Sequence, residues 1–320
     1  MRKNVNSVHI EGYVYQHDLA KKTVQNNQSE NFGKEFIAGN IEIAVDEEGT
    51  NVLKVHFSYV VPTTKKGTRN ATYYELVKVM EGPTWITHGK EAATKVKVDT
   101  AIALNDFYTD DNQLVSAKIH EGGFVTVIDV LCPVERRNLF QADMLITGTQ
   151  LVEKENTEDT FLVKGAVFNF KNDLLPVEFI VRNPEGIKYF DKLDPTSQEP
   201  KYMKVFGVIN NKAIQIPVQE GNEWGAGVVN YKEVKDKSYV ITGNNAPYDF
   251  GEDNVMTVEE LKTAIQNREI HLAEVKKSRE EYKAQKAQKA QQAQQAASVG
   301  FGGIPTAPTS NVVTNDNFVF

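Results

Sequence analysis

From Ser7 to Thr242 the chain advances in short runs of Val, Ile, Phe, Tyr and Thr, each closed by turn residues such as Gly, Pro, Asn and Asp. A pattern of this kind restricts a chain to sheets of closely spaced strands. In the first half it predicts strands at Val8–Tyr15, Phe36–Val45, Val52–Val61, Thr72–Met80, Lys95–Leu104 and Leu114–His120. The link DEEGTN at 46–51 reads as a hairpin turn, and Pro83 to Ala93 has room for one short helix. Several strands around one short helix describe a small barrel.

After LCPVERRN at 131–138 the same order returns. Strands are predicted at Asp143–Val152, Thr160–Phe170, Leu175–Arg182, Lys201–Asn210 and Val234–Thr242, with a short helix near Gly186–Leu193. This stretch reads as a second, divergent copy of the first architecture. At Thr257 the composition changes, and TVEE supplies a capping box before a long helix. Val258, Leu261, Ile265, Leu272 and Val275 form one apolar stripe, which must pack against something. KAQKAQKAQQAQQAA at 283–297 is helix-prone but has no apolar face, and from Ser298 a Gly/Pro/Thr/Asn-rich stretch forms a flexible tail.

Catalytic constellations are scarce. The six histidines show no HxxxH or HxH spacing, and the single cysteine, Cys132, has no sequence neighbour with which to form a metal motif. The chain contains neither GxxxxGK[ST] nor GxSxG, so the expectation is a protein that is not an enzyme and holds no cofactor or metal. With no signal-peptide run and no span of about 20 apolar residues, the expected location is the cytoplasm. A net charge of −7 argues against a polycation, so any contact with nucleic acid has to come from a local basic patch with aromatic faces.

Such a patch is readable in VLKVHFSYVVPTTKKGTRNATYYELVKVMEG at 52–82. Lys65, Lys66 and Arg69 lie in a loop beside Tyr73 and Tyr74, with Tyr59, Lys78 and Trp85 close in sequence. Bases of any identity stack on aromatic rings while cations follow the phosphates. Lys34 and Lys97 are further candidates for a groove, and Phe107, Tyr108 and Trp224 are aromatics near turn signals.

The N-terminal segment resembles the bacterial and phage single-stranded-DNA-binding proteins at three points. Asn6–Gly12 (NSVHIEG) looks like that family's opening strand. VHFSYVV, the Lys65–Lys66–Gly67 loop and TYYELVKV are similar to its central hairpin, and VKVDTAIAL with LVSAKIHEGGFVTVI resembles its closing strands. Thr64 stands where the family has a loop tryptophan, Met80 where another aromatic is common, and residues 16–50 read as an insertion containing an extra strand at 36–45.

The resemblance implies an oligonucleotide-binding (OB) barrel at 1–130, and the repeated order of strands and helix a second, OB-like one in tandem at 131–256, followed by the helix at 257–297 and the tail at 298–320. It also implies sequence-independent coating of single-stranded DNA during replication, recombination or repair, with a phage as the source and a bacterial host cell as the setting. The tail tip, Asp316, Phe318, Val319 and Phe320, resembles the family's partner-recruiting end. The alternative is a structural or assembly protein, such as a virion component, that self-associates through the helix at 257–282.

Overall fold

A computed structural model describes residues 4–152, 160–220, 228–249 and 257–298. Trp224 and the tail residues Asp316, Phe318, Val319 and Phe320 lie outside the described residues.

The first half contains β1 (Asn6–His17), β2 (Ala20–Thr23), β3 (Glu35–Ala44), β4 (Val52–Val60), helices α1 (Ala71–Glu81) and α2 (Trp85–His88), then β5 (Lys95–Thr100), β6 (Ile102–Tyr108), β7 (Leu114–Glu121) and β8 (Phe124–Ile128). Antiparallel pairing joins β1 to β3, β3 to β4, β1 to β5 and β5 to β8. The ring closes through a parallel contact of β4 with β7, Val55 against His120. Alternation along these strands sends Val8, Ile10, Ile41, Ile43, Leu53, Val55, Phe57, Val96 and Val98 into the interior.

The second half repeats the scheme with β9 (Asn138–Val152), β10 (Thr160–Phe168), β11 (Leu174–Val181), α3 (Pro184–Leu193), β12 (Lys201–Glu220) and β13 (Val228–Asn244). Here β9 pairs with β10 and β12, β10 with β11, and β12 with β13, all antiparallel. A parallel contact of β11 with β13, Ile180 against Val240, closes the ring. In both halves a helix stands between the third and fourth barrel strands, and its apolar face, Leu76 and Val79 in α1 and Phe190 in α3, is buried. This is the Greek-key arrangement of an OB barrel, built twice.

The barrels share a seam. β1 pairs antiparallel with β9 from Asn6↔Ala142 to Ile10↔Asn138, so one sheet runs through both halves and one apolar core fills them. Asn51 is buried there, accepting from the Asn211 N–H at 2.8 Å, while Asn138 donates to the Ile209 carbonyl at 2.7 Å.

Three expectations change. Residues 72–80 form the helix α1, not a strand. Tyr73, Leu76, Val77, Val79 and Met80 recur at three- and four-residue steps, so a helix can bury them on one side where a strand would expose half. The run at 95–104 breaks at Ala101, where the Asn6 side chain accepts from the Ile102 N–H at 2.9 Å. The segment at 36–45 is no extra strand: β3 stands between β1 and β4 as an integral barrel stave, and the added piece is the hairpin arm carrying β2.

Helix α4 (Val258–Ser298) opens on the expected capping box. The Thr257 N–H donates to Glu260 at 2.9 Å, and the Glu260 N–H donates to the Thr257 hydroxyl at 3.2 Å. The chain divides into two compact units, one comprising Met1–Asn105 with Ala117–Arg268, the other Asp106–Ser116 with Glu269–Phe320. In the first, Leu261 and Ala264 pack with Leu145, Phe168 and Tyr202. Ile265 is 43% exposed, and the neighbouring Ala264 takes its place beside Leu261 in the buried stripe. In the second, Arg279 bonds Asp110 at 3.2 Å and Asn112 at 3.1 Å, and His271 meets Asp106 at 3.2 Å. Among the described residues no helix is long and apolar enough to cross a membrane.

Candidate nucleic-acid interface

The loop between β4 and α1 is a small structured hairpin. Thr63 bridges to Arg69, the Thr64 N–H donates to the Thr68 carbonyl at 2.8 Å, and the Asn70 side chain donates to the Val61 carbonyl at 2.8 Å. Lys65 and Lys66 are exposed at its tip. Backbone pairing therefore holds these cations at a fixed end of the barrel.

Arg69 reaches back from the hairpin over α1 and lays its guanidinium 3.9 Å from the centre of the Tyr74 ring. Tyr74 is half-buried, and with Arg69, Ala71 and Glu75 it lines an open depression of about 320 Å³. The result is a planar cation stacked on an aromatic face, open on its outer side. Lys78 is exposed but bonded to Glu75 at 2.6 Å, so part of its charge is answered within the helix. Burial acts to raise the Glu75 carboxyl, yet hydrogen bonds from Lys78 and the Val127 N–H outweigh it and hold the group below its ordinary range. Glu75 thereby ties α1 to β8 as a carboxylate.

Tyr73 departs from expectation. Its ring is buried, edge-on to Tyr74 with centroids 5.3 Å apart, and its hydroxyl donates to Glu35. Burial, together with the Glu35 carboxylate, pushes that phenol up to about 12. Successive helix positions point about 100° apart, so one tyrosine enters the core while the next meets solvent. Tyr73 offers no face to a base.

Glu35 opens β3, and the next residue, Phe36, packs on Tyr59 with centroids 4.7 Å apart. Tyr59 is 41% exposed, and Lys22 of β2 stands directly opposite Phe36. A second aromatic pair with an adjacent cation thus lies at the end of the barrel where β4 leads through the Lys65–Lys66 hairpin into α1. Phe36 and Lys22 escaped the reading of the sequence, although a signal existed. Phe36 shares strand parity with Asn40 and Glu42, not with the buried Ile41 and Ile43, which puts an aromatic ring on the outer face.

Trp85 is not brought to this cluster. It packs edge-on to Tyr13 at 5.5 Å and lies beside Tyr15 at 6.0 Å, over Gly49 in the β3–β4 turn. That turn and the Lys65–Lys66 hairpin are at opposite ends of β4. Lys97 pairs with Asp99 at 3.3 Å, and Lys34 is exposed on the hairpin arm, bonded to Asn31 at 2.9 Å.

A family model described as YorF matches residues 4–278, through both barrels and into α4. The chain belongs to the YorF family. No curated protein matches it. Among solved structures, the wild-type single-stranded DNA binding protein from Thermus aquaticus is similar at a TM-score of 0.45 and 10% identity, over 77% of this chain and 95% of that one. A deletion mutant of the same protein is similar at 0.44 and 11%, over 78% and 98%.

In this YorF-family chain the end of the barrel where β4 leads into α1 supplies ring faces, a guanidinium over a ring and exposed ammonium groups. That combination suits a ligand with flat aromatic units on an anionic backbone. Apart from that surface, His9, Glu11 and Cys132 form one group with donor atoms close enough to hold a metal ion.

Proposed function

We propose that the N-terminal barrel binds single-stranded DNA with little sequence preference, stacking bases on Tyr74 and on the Phe36–Tyr59 pair while Lys65, Lys66 and Arg69 contact phosphates. The observation that carries this reading is the convergence of the Arg69–Tyr74 stack and the Phe36–Tyr59 pair around one end of the barrel, beside an exposed, backbone-fixed pair of lysines. Because the whole chain carries −7, affinity has to be local and strongly salt-dependent. The binding is non-enzymatic, and it serves replication, recombination or repair. The tail tip at 316–320 acts as the tether for partner proteins.

Titrating the full chain with oligonucleotides of increasing length, at stepped salt, tests the proposal directly. Intrinsic fluorescence should be quenched in proportion to occupied sites, with affinity nearly independent of base composition. Neutralising Lys65, Lys66 and Arg69 together removes three phosphate contacts and should flatten the slope of log K against log salt by about 2, at roughly 0.7 per contact on a single strand. Absence of any binding at low salt would end the reading.

A further inference from the structure

The group formed by His9, Glu11 and Cys132 lies apart from the aromatic surface and has a separate origin in the fold. His9 and Glu11 are two residues apart on β1, so their side chains leave the same face of the strand. Cys132 arrives from the segment after β8, which is bound to β1 by the Glu11 N–H donating to the Arg137 carbonyl at 2.7 Å. The Cys132 N–H donates to the Glu11 carboxylate. One nitrogen of His9, one oxygen of Glu11 and the Cys132 sulfur consequently lie within 4.8 Å of one another.

Two further observations point toward a cation. The Glu11 side chain is only 8% exposed, and among the described residues its one basic neighbour at ion-pair distance is the His9 imidazole at 3.5 Å, while Lys97, opposite it in the β1–β5 register, pairs with Asp99. A buried carboxylate ordinarily has a positive partner. Arg137, close by, directs its guanidinium to Glu47 at 2.7 Å and to the Cys132 carbonyl at 2.7 Å. Asp99, opposite His9 in the β1–β5 register, meets His9 Nδ1 at 2.8 Å. A carboxylate on one imidazole nitrogen fixes the tautomer and presents the other nitrogen as a ligand. That other nitrogen, Nε2, faces Glu11 Oε2 at 3.5 Å.

We propose that His9 Nε2, a Glu11 carboxylate oxygen and Cys132 Sγ bind one zinc-type divalent ion, with water in the fourth position. Ligands at zinc bond lengths around a tetrahedral ion sit about 3.3–3.7 Å apart, which the His9–Glu11 spacing already meets. A neutral imidazole, a carboxylate and a thiolate together neutralise the ion, the thiol proton passing to solvent on binding. Thiolate and imidazole select zinc over magnesium or calcium. The ion pins the segment around Cys132 to β1, the strand shared by the two barrels, so its role is structural and independent of DNA binding.

Metal-free full chain is titrated with Zn²⁺ against a chromogenic chelator, and with Co²⁺ as a spectroscopic probe. The expected result is one equivalent, a sulfur-to-cobalt charge-transfer band, and a higher melting temperature with Zn²⁺. Cys132→Ser and His9→Ala should each abolish the band and weaken zinc binding by at least about 100-fold, while Asp99→Asn weakens it about 10- to 100-fold. Circular dichroism of the metal-free variants reports their fold. No uptake by the wild-type chain, no thiolate band with cobalt, or zinc affinity unchanged in both ligand variants would each overturn the proposal.

Discussion

Tyr73 and Tyr74 are adjacent, chemically identical and put to opposite uses. Replacing Tyr74 with Ala removes one stacking face, so affinity for single-stranded DNA should fall about 5- to 150-fold, the equivalent of roughly 1–3 kcal/mol, with the melting temperature nearly unchanged. Tyr73→Phe removes the hydroxyl that donates to Glu35 and should instead lower stability by about 1–3 kcal/mol in urea denaturation, leaving affinity intact. An exchange of these two outcomes would mean that the two rings have been assigned to the wrong sides of α1. At this scale the residue types of the patch were legible in the sequence, because cations and aromatics crowd into a few positions. Which ring faces outward was not, since that depends on whether the backbone turns by 100° or 180° per residue. The group around Cys132 was illegible for another reason: its members lie 121 residues apart in the chain.

At the scale of elements, the strands came through wherever burial alternates from residue to residue, as in β5 and in β4 as far as Phe57. Alternation failed at α1, where β-branched and aromatic residues favour strand by propensity but tertiary packing needs a helix beneath the barrel. The Glu121–Gly122–Gly123 motif was readable as a closing feature, and the structure supplies its mechanism. It bends the chain from β7, which closes the barrel against β4, into β8, which pairs with β5. Both glycines have positive φ, +64° and +104°. A Cβ on Gly122 meets nothing within 4 Å, whereas one on Gly123 would sit 2.3 Å from the Asp99 carbonyl oxygen. Gly122→Ala should therefore cost only the roughly 1–2 kcal/mol of left-handed backbone, and Gly123→Ala distinctly more, measured by chemical denaturation. Equal costs would show that the bend tolerates a side chain.

For the whole molecule, acid is the informative perturbant. His120 of β7 is buried, its Nδ1–H donating to the Lys54 carbonyl at 3.0 Å and its Nε2 accepting from the Tyr239 hydroxyl of β13 at 2.7 Å. Burial pushes its pKa from 6.5 down to about 4. The folded state thus favours neutral imidazole, and the unfolded chain binds the extra proton between these values. The contribution is fully present above pH 6.5 and should be lost progressively as pH falls toward 4, on the order of 3 kcal/mol in all. Urea midpoints across that window should decline in the wild type and flatten in His120→Gln. The repeated order of strands and helix was visible in the sequence, but the pairing of β1 with β9 was not, because no local pattern marks which edge a barrel offers to another. Val8, His9 and Ile10 are paired on both sides, with β5 and with β9, and Leu139, Phe140 and Gln141 are paired on both sides too, with β12 and with β1. Along this stretch the backbone N–H and C=O groups that a barrel edge would offer to a passing strand are satisfied within one chain, so strand addition here is closed to other molecules.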